Sequence, residues 1–343
     1  MRTVPSPPEK GPLPGGRSGG DDSASRRRGG ELVGFSLHAA VPLAIALLYP
    51  LLPDYHQGNA ARILVLATYA TGYNLLFGYT GLLSLGHALY LGAGLYGAGL
   101  AVTSFGLDPV LAWLLGVLLA GTLAALVGAL ALRTTGVAFM IVTMMFAQAG
   151  YLSILHWNRF TGGDEGFVVP TVRRAAGVAL DLGSGDVRFA LALALYSCCL
   201  GIAWALVRGD TGRVWLALRD SEERLELLGH DPFRHKLLAF VLSGLMAGAA
   251  GAAYALLFGY VGASFATIQY SILALLWVLV GGAATVLGPL LGTALMFYLV
   301  DIVSGYTTAW LFVVGAVLVA LVLLAPRGLL GTLQHRYRWR WLP

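Results

Sequence analysis

Few side chains able to do chemistry lie inside the apolar parts of this chain: His87, Asn74, Gln148, Asp301, the adjacent pair Cys198 and Cys199, and scattered hydroxyls. A metallohydrolase would carry paired ligands such as HExxH, and an acyl transferase a nucleophile turn such as GxSxG. Neither string occurs. A phosphate-binding loop ends in Gly-Lys-Ser/Thr, but both lysines fail the pattern: Lys10 is followed by Gly11 and Lys236 by Leu237. The two cysteines offer neither a disulfide framework nor a metal spacing, and read as small buried side chains. No catalytic constellation, metal or cofactor is therefore expected, which disfavours a membrane enzyme acting on lipid. Coupled secondary carriers hold charged groups within their spans as proton or ion sites. Here Asp301 is the lone candidate, and its place near an expected helix end reads as an interfacial carboxylate at the outer boundary. The energy for any transport is expected to come from outside the bilayer.

The elements that position these residues follow from composition. Of 343 residues, 57% are hydrophobic and 11% charged, where a globular chain carries roughly 25% charged residues. A soluble enzyme, a disordered chain, a fibrous repeat and a nucleic-acid binder are all excluded. Stretches 63–107, 109–132, 134–158, 237–300 and 302–326 contain no Asp, Glu, Lys or Arg. About 20 apolar residues in a helix cross ~30 Å of hydrocarbon, and only a helix satisfies its own backbone there. The pattern lacks the alternation of a membrane β-barrel. The fold class expected is an all-α integral membrane protein, a polytopic helical bundle of about ten transmembrane helices.

Charge sets the orientation, because lysine and arginine gather in cytoplasmic loops. Residues 1–31 are rich in Pro, Gly, Ser and Arg, and end with Arg26, Arg27 and Arg28 before the first span; a disordered basic cytoplasmic tail is expected. A transmembrane domain over 32–327 and a second basic cytoplasmic tail over 328–343 follow. The first span, 33–52, leads to a short external loop with Asp54 and Arg62. Residues 158–187 form an external loop and residues 208–236, with six basic side chains, a cytoplasmic one. Stretch 237–300 must then make three crossings. Glycines at 92, 94, 97, 99, 281, 282 and 288, with Pro289, fit two readings. Small residues allow close helix packing, and they also mark broken or re-entrant helices along a pathway.

Within the cytoplasmic loop, Trp215, Leu218, Leu225 and Leu228 recur at helical intervals among Asp220, Glu222, Glu223 and Glu226. Gly229 is placed as a helix stop, and Asp231–Pro232 as a turn. Such an amphipathic helix could be a ledge on the membrane. Its acidity, a poor match for anionic lipid, favours docking into a partner's groove.

These residues also carry a resemblance. In chain order, GYTGLLSLGHALYLGAGLYG from Gly78, TGGDEGF from Thr161, GRVWLALRDSEERLELLGHDPFRHKLLAFVLSGLMAGAAGAAYA from Gly212 and VGGAATVLGPLLG from Val280 resemble motifs of LivM-like permease subunits of bacterial branched-chain amino-acid ABC importers. The resemblance covers roughly residues 33–330. It implies a multi-pass protein of the bacterial cytoplasmic membrane with both termini inside. Its partners would be a sister permease subunit, two cytoplasmic ABC ATPase subunits and an extracytoplasmic substrate-binding protein. Carried over by position, Arg219, Glu222, Glu226 and Gly229 belong to the ATPase-coupling helix, and Gly162, Gly163 and Asp164 to the loop that docks the binding protein. Gly81, Ser84, His87 and Gln148 would line the translocation path, although Ser84 and His87 could instead bond a neighbouring helix. Arg224 and Leu225 stand where the family usually has two small residues. The cargo implied is a branched-chain amino acid, with urea or a short amide as the alternative. A self-contained channel or secondary carrier is the reading from another class.

Overall fold

The computed structural model describes residues 38–170, 182, 184–325 and 327–337. The tail 1–31, residues 171–181 and 183 of the expected external loop, and the end of the C-terminal tail lie outside the described residues. The described chain is helical, apart from a two-residue antiparallel ladder. In chain order the helices are α1 (His38–Leu51), α2 (Asp54–Asn74), α3 (His87–Thr103), α4 (Pro109–Ala131), α5 (Gly136–His156) and the single turn α6 (Asn158–Thr161). They continue with α7 (Gly185–Arg208), α8 (Asp210–Asp220), α9 (Glu222–Leu227), α10 (Pro232–Phe258), α11 (Ile268–Gly281), α12 (Gly288–Tyr306), α13 (Trp310–Leu324) and α14 (Gly328–Tyr337). The strands are β1 (Phe167–Val168) and β2 (Tyr260–Val261). Among the described residues α4, α5, α7, α10 and α12 are long and apolar enough to cross a bilayer by length and composition alone.

Side-chain links assign the helix ends to two opposite faces of the bundle. At one end Tyr49 of α1 stacks on Phe189 and donates to Asp186 at the start of α7, 3.0 Å away. There too the start of α2 meets the end of α12: the Tyr55 hydroxyl donates to the Asp301 carboxylate, and His56 Nδ1 lies 3.0 Å from the Tyr298 hydroxyl. The β1–β2 ladder, pairing Phe167 with Val261, closes the same end beside Gly99 of α3. At the other end, Arg219 of α8 reaches Gly78, Asn74 reaches the loop between α11 and α12, and Gly328 abuts Gly282. Followed through these links, α1, α2, α3, α4, α5, α7, α10, α11, α12 and α13 alternate in direction, in agreement with a bundle of about ten spans. Asp301 sits at a bundle end bonded to Tyr55, as expected of an interfacial carboxylate.

Two boundaries differ from the sequence reading. Asp54 and Arg62 lie within α2, not in a loop before it. A carboxylate in the first turn complements the positive helix N-terminus, and the Arg62 guanidinium lies 5.5 Å from the centre of the Phe258 ring. The amphipathic segment from Trp215 is two helices, not one. Ser221 turns to extended backbone (φ −165°, ψ 115°) and its hydroxyl accepts from the Arg224 N–H at 3.4 Å, starting α9 afresh.

The glycines at 92, 94, 97 and 99 lie within the unbroken α3 and pack closely against neighbours. Gly116, Ala120 and Ala124 of α4 recur every four residues, so they share one face. Against that face lie Gly94 of α3 and Gly244 and Gly248 of α10. A Cβ on Gly94 would come 2.1 Å from the Gly248 carbonyl oxygen, so backbones touch and only glycine fits. The helix breaks lie elsewhere. Helix α11 has 14 residues, about 21 Å at 1.5 Å each, and the extended and 3-10 backbone over 259–267 precedes it along α3. Ala266 of that segment packs on Gly92, and the Ser271 hydroxyl of α11 accepts from the Ala88 N–H. The other break lies between α2 and α3, where the chain passes through a π-helical turn (Leu75–Tyr79) and irregular backbone before α3 begins at His87.

Candidate functional site

The break between α2 and α3 brings several of the sequence-selected residues together. His87, the first residue of α3, and Ser84 are fully enclosed. His87 Nε2 lies 2.6 Å from the Ser243 hydroxyl of α10, which donates its single proton to the Gly72 carbonyl at 2.6 Å. Ser243 must then accept, so Nε2 carries the ring proton. His87 Nδ1, 3.3 Å from Ser84 Oγ, accepts from that hydroxyl, while Ser84 Oγ accepts from the Gly86 N–H at 3.2 Å. The Tyr73 hydroxyl donates to the Ser84 carbonyl at 2.8 Å, and the Leu85 N–H donates to Thr143 of α5. The side-chain polar atoms of Tyr73, Ser84, His87, Thr143 and Ser243 all find protein partners, as a break in an apolar bundle requires, whereas the Tyr90 hydroxyl beside them has none among the described residues. The rings of Tyr73, Tyr90 and Phe240 stand edge-on around the imidazole at 4.8–5.9 Å. The cluster ties α2, α3, α5 and α10 into one unit.

Gly81 and Gln148 lie apart from this cluster. Gly81 has φ +76° and packs under the Arg219 side chain, so it belongs with the segment after α7. Gln148 is exposed on α5, a helix with few buried residues.

The segment after α7 forms a ledge at the same end. Trp215 and Leu218 of α8 and Leu225 of α9 are buried, and the Trp215 indole N–H donates to the His235 carbonyl at 3.1 Å. Lys236, itself buried, pairs with Glu222 at 2.5 Å, and Arg219 Nη1 donates to the Gly78 carbonyl at 2.5 Å. So two of the sequence-selected residues, Arg219 and Glu222, fasten the ledge to the bundle. Glu226 and Gly229 face solvent, and Gly229 stops the segment with φ +84°. Asp231 and Pro232 then start α10, with the Asp231 carboxylate accepting from Phe233 and Arg234 N–H groups. Leu227 and Leu228 are 87% and 74% exposed. The helical spacing groups Leu228 with Trp215, Leu218 and Leu225 on one apolar face, but in the structure Leu228 parts from those three and is exposed with Leu227. The kink at Ser221 rotates α9 relative to α8 and turns both outward.

At the opposite end the TGGDEGF segment is a compact turn. Gly162, Gly163 and Gly166 all take positive φ. The Thr161 hydroxyl donates to the Ile154 carbonyl at 2.6 Å and accepts from the Gly163 N–H. A Cβ on Gly166 would meet the Val261 carbonyl oxygen at 2.1 Å. These contacts present Asp164 and Glu165 at the tip, both exposed.

Comparison with known proteins puts this arrangement in a family. Residues 58–322 match the family described as the branched-chain amino acid transport system permease component. The chain belongs to that family. Two curated relatives carry the description "High-affinity branched-chain amino acid transport system permease protein LivM", one from Salmonella typhimurium (strain LT2) and one from Escherichia coli (strain K12). Each is 26% identical over 323 residues, which covers 88% of this chain and 76% of the relative. No solved structure matches the chain. The protein is thus a multi-pass transport permease, in a family of transport components.

Proposed function

We propose that this permease is one of two transmembrane subunits of an ATP-driven importer of branched-chain amino acids in a bacterial cytoplasmic membrane. The observation that carries the reading is the ledge of α8 and α9. It is bolted to the bundle through Arg219 and Glu222, and it presents Glu226, Leu227 and Leu228 to solvent. An exposed apolar pair on a short, rigidly held helix is a docking surface for a partner groove, and the chain has no nucleotide loop of its own. Cytoplasmic ATPases dock there, and the basic residues of 208–236, of the tail 1–31 and of 328–343 face the same compartment. The loop 158–187 faces outward, and its tip at Gly162, Gly163 and Asp164 receives a substrate-binding protein. The path for the amino acid runs on the α5 side, where Gln148 is exposed, between this subunit and a sister permease. Ser84 and His87 hold the wall of that path from behind, and Gly81 sits where the wall meets the ledge.

Uptake of radiolabelled leucine by cells with and without the subunit tests the cargo. Loss of uptake on deletion, with competition by valine and isoleucine in the intact cells, is expected. Unchanged leucine uptake together with lost urea uptake would move the cargo to short amides and overturn the amino-acid assignment.

A further inference from the structure

The ledge and the α11–α12 pair meet on opposite sides of one turn. In the π-helical turn after α2, the Gly78 carbonyl accepts from Arg219 at 2.5 Å, and a Cβ on Gly81 would touch the same side chain at 3.1 Å. On the inner side of that turn lies Asn74, 1% exposed. Its carboxamide is used at both ends. Oδ1 accepts from the Ala284 N–H at 3.0 Å, and Nδ2 donates to the Thr285 carbonyl at 2.9 Å. The loop so gripped joins α11 to α12. Ala284 has φ +61°, the only positive φ of a non-glycine among the described residues. That conformation is costly for a residue with a Cβ and persists only where its surroundings impose it. Gly78 leaves no slack, since a Cβ there would fall 2.1 Å from Asn74 Oδ1 and 2.6 Å from the Ala284 nitrogen. The Gly282 end of the same loop is backed by Gly328 at the start of α14.

We propose that Asn74 is a positioning residue of the transport cycle, a two-bond clamp that carries displacement of the ledge into the α11–α12 pair. The inference rests on the reading of the ledge as the ATPase-docking element. When the ledge moves, Arg219 pulls on Gly78. The turn containing Gly78 continues directly from Asn74, and Asn74 moves the loop by its own backbone groups. Packed helices have discrete arrangements, so a rigid clamp delivers a shift that a loose contact would absorb. The left-handed Ala284 keeps its N–H and the next carbonyl aimed at one carboxamide.

The test uses the complete complex, with its ATPases and binding protein, in proteoliposomes, and reads amino acid imported per ATP hydrolysed. Asn74→Ala is expected to keep ATPase attachment and ATP hydrolysis while import per ATP falls about tenfold, within the usual range of coupling between sites. Ala284→Gly removes the backbone cost without touching the carboxamide, and is expected to raise thermal stability. In the double variant Asn74→Ala with Ala284→Gly, thermal stability recovers and coupling stays low. If the double variant recovers coupling as well, Asn74 only stabilises the loop and the proposal is overturned. It is equally overturned if Asn74→Ala imports at the wild-type ratio. A wild-type complex with no ATP-driven import at all would instead reject the importer reading, so the two failures are distinguishable.

Discussion

Changing Leu227 and Leu228 together to aspartate is expected to abolish co-purification of the ATPase subunits while the permease still inserts in the membrane. Both side chains, at the last residue of α9 and at its C-cap, project into solvent, so aspartate there leaves the fold of this subunit untouched. In a docked complex the same positions are buried in a partner groove. Central apolar anchors cost about 2–4 kcal/mol each on truncation, and a carboxylate adds the cost of burying an unpaired charge. The summed loss lowers affinity by about a thousandfold or more at 1.4 kcal/mol per tenfold. Pull-down from detergent-solubilised membranes checks it. Undiminished ATPase recovery would remove the ledge from the docking surface. Bulky basic replacements at Glu226 and Gly229 serve as a second pair, with the added strain that any side chain at Gly229 must take φ +84°.

The second large effect concerns His87. Replacing it by leucine strips Ser84 and Ser243 of an imidazole partner in a region closed to water, and mismatches the flat slot between Tyr73, Tyr90 and Phe240. Leaving buried polar atoms unpaired costs about 1–3 kcal/mol, and the altered packing adds about 1–3 kcal/mol. The thermal midpoint of the purified protein is expected to fall sharply, and its yield with it, while whatever protein remains keeps the cargo profile of the wild type. A variant of full stability that imports nothing would place His87 in the path itself and not behind its wall.

Much of the architecture was legible because bilayer-crossing helices obey few rules. Charge-free runs, basic loops and the helix boundary at Gly281 and Gly282 all follow from what hydrocarbon tolerates. The ledge was legible as an amphipathic segment with a stop at Gly229. Its kink was not, because Ser221 acts through a local cap that periodicity alone does not register. With the kink, Leu228 parts from Trp215, Leu218 and Leu225 and comes to the surface beside Leu227. The pairing of Arg219 with Gly78, and the grip of Asn74 on Ala284 and Thr285, join residues far apart in sequence. No spacing rule reaches that far. Asn74 was noticed as a polar residue within a span, but its partners come from the fold. The left-handed Ala284 gave no signal at all, since glycine is the usual mark of that conformation.

Leucine import into sealed vesicles is the most direct measurement of the central claim, that this subunit forms a path which works only when ATPases drive it. The vesicles would hold the complete complex, with binding protein and labelled leucine outside and ATP or a non-hydrolysable analogue enclosed. Accumulation above the external concentration is expected with ATP, none with the analogue, and none from vesicles holding the permease without ATPases. Leucine equilibrating through the permease alone would contradict it, and would make the protein a self-contained channel or carrier.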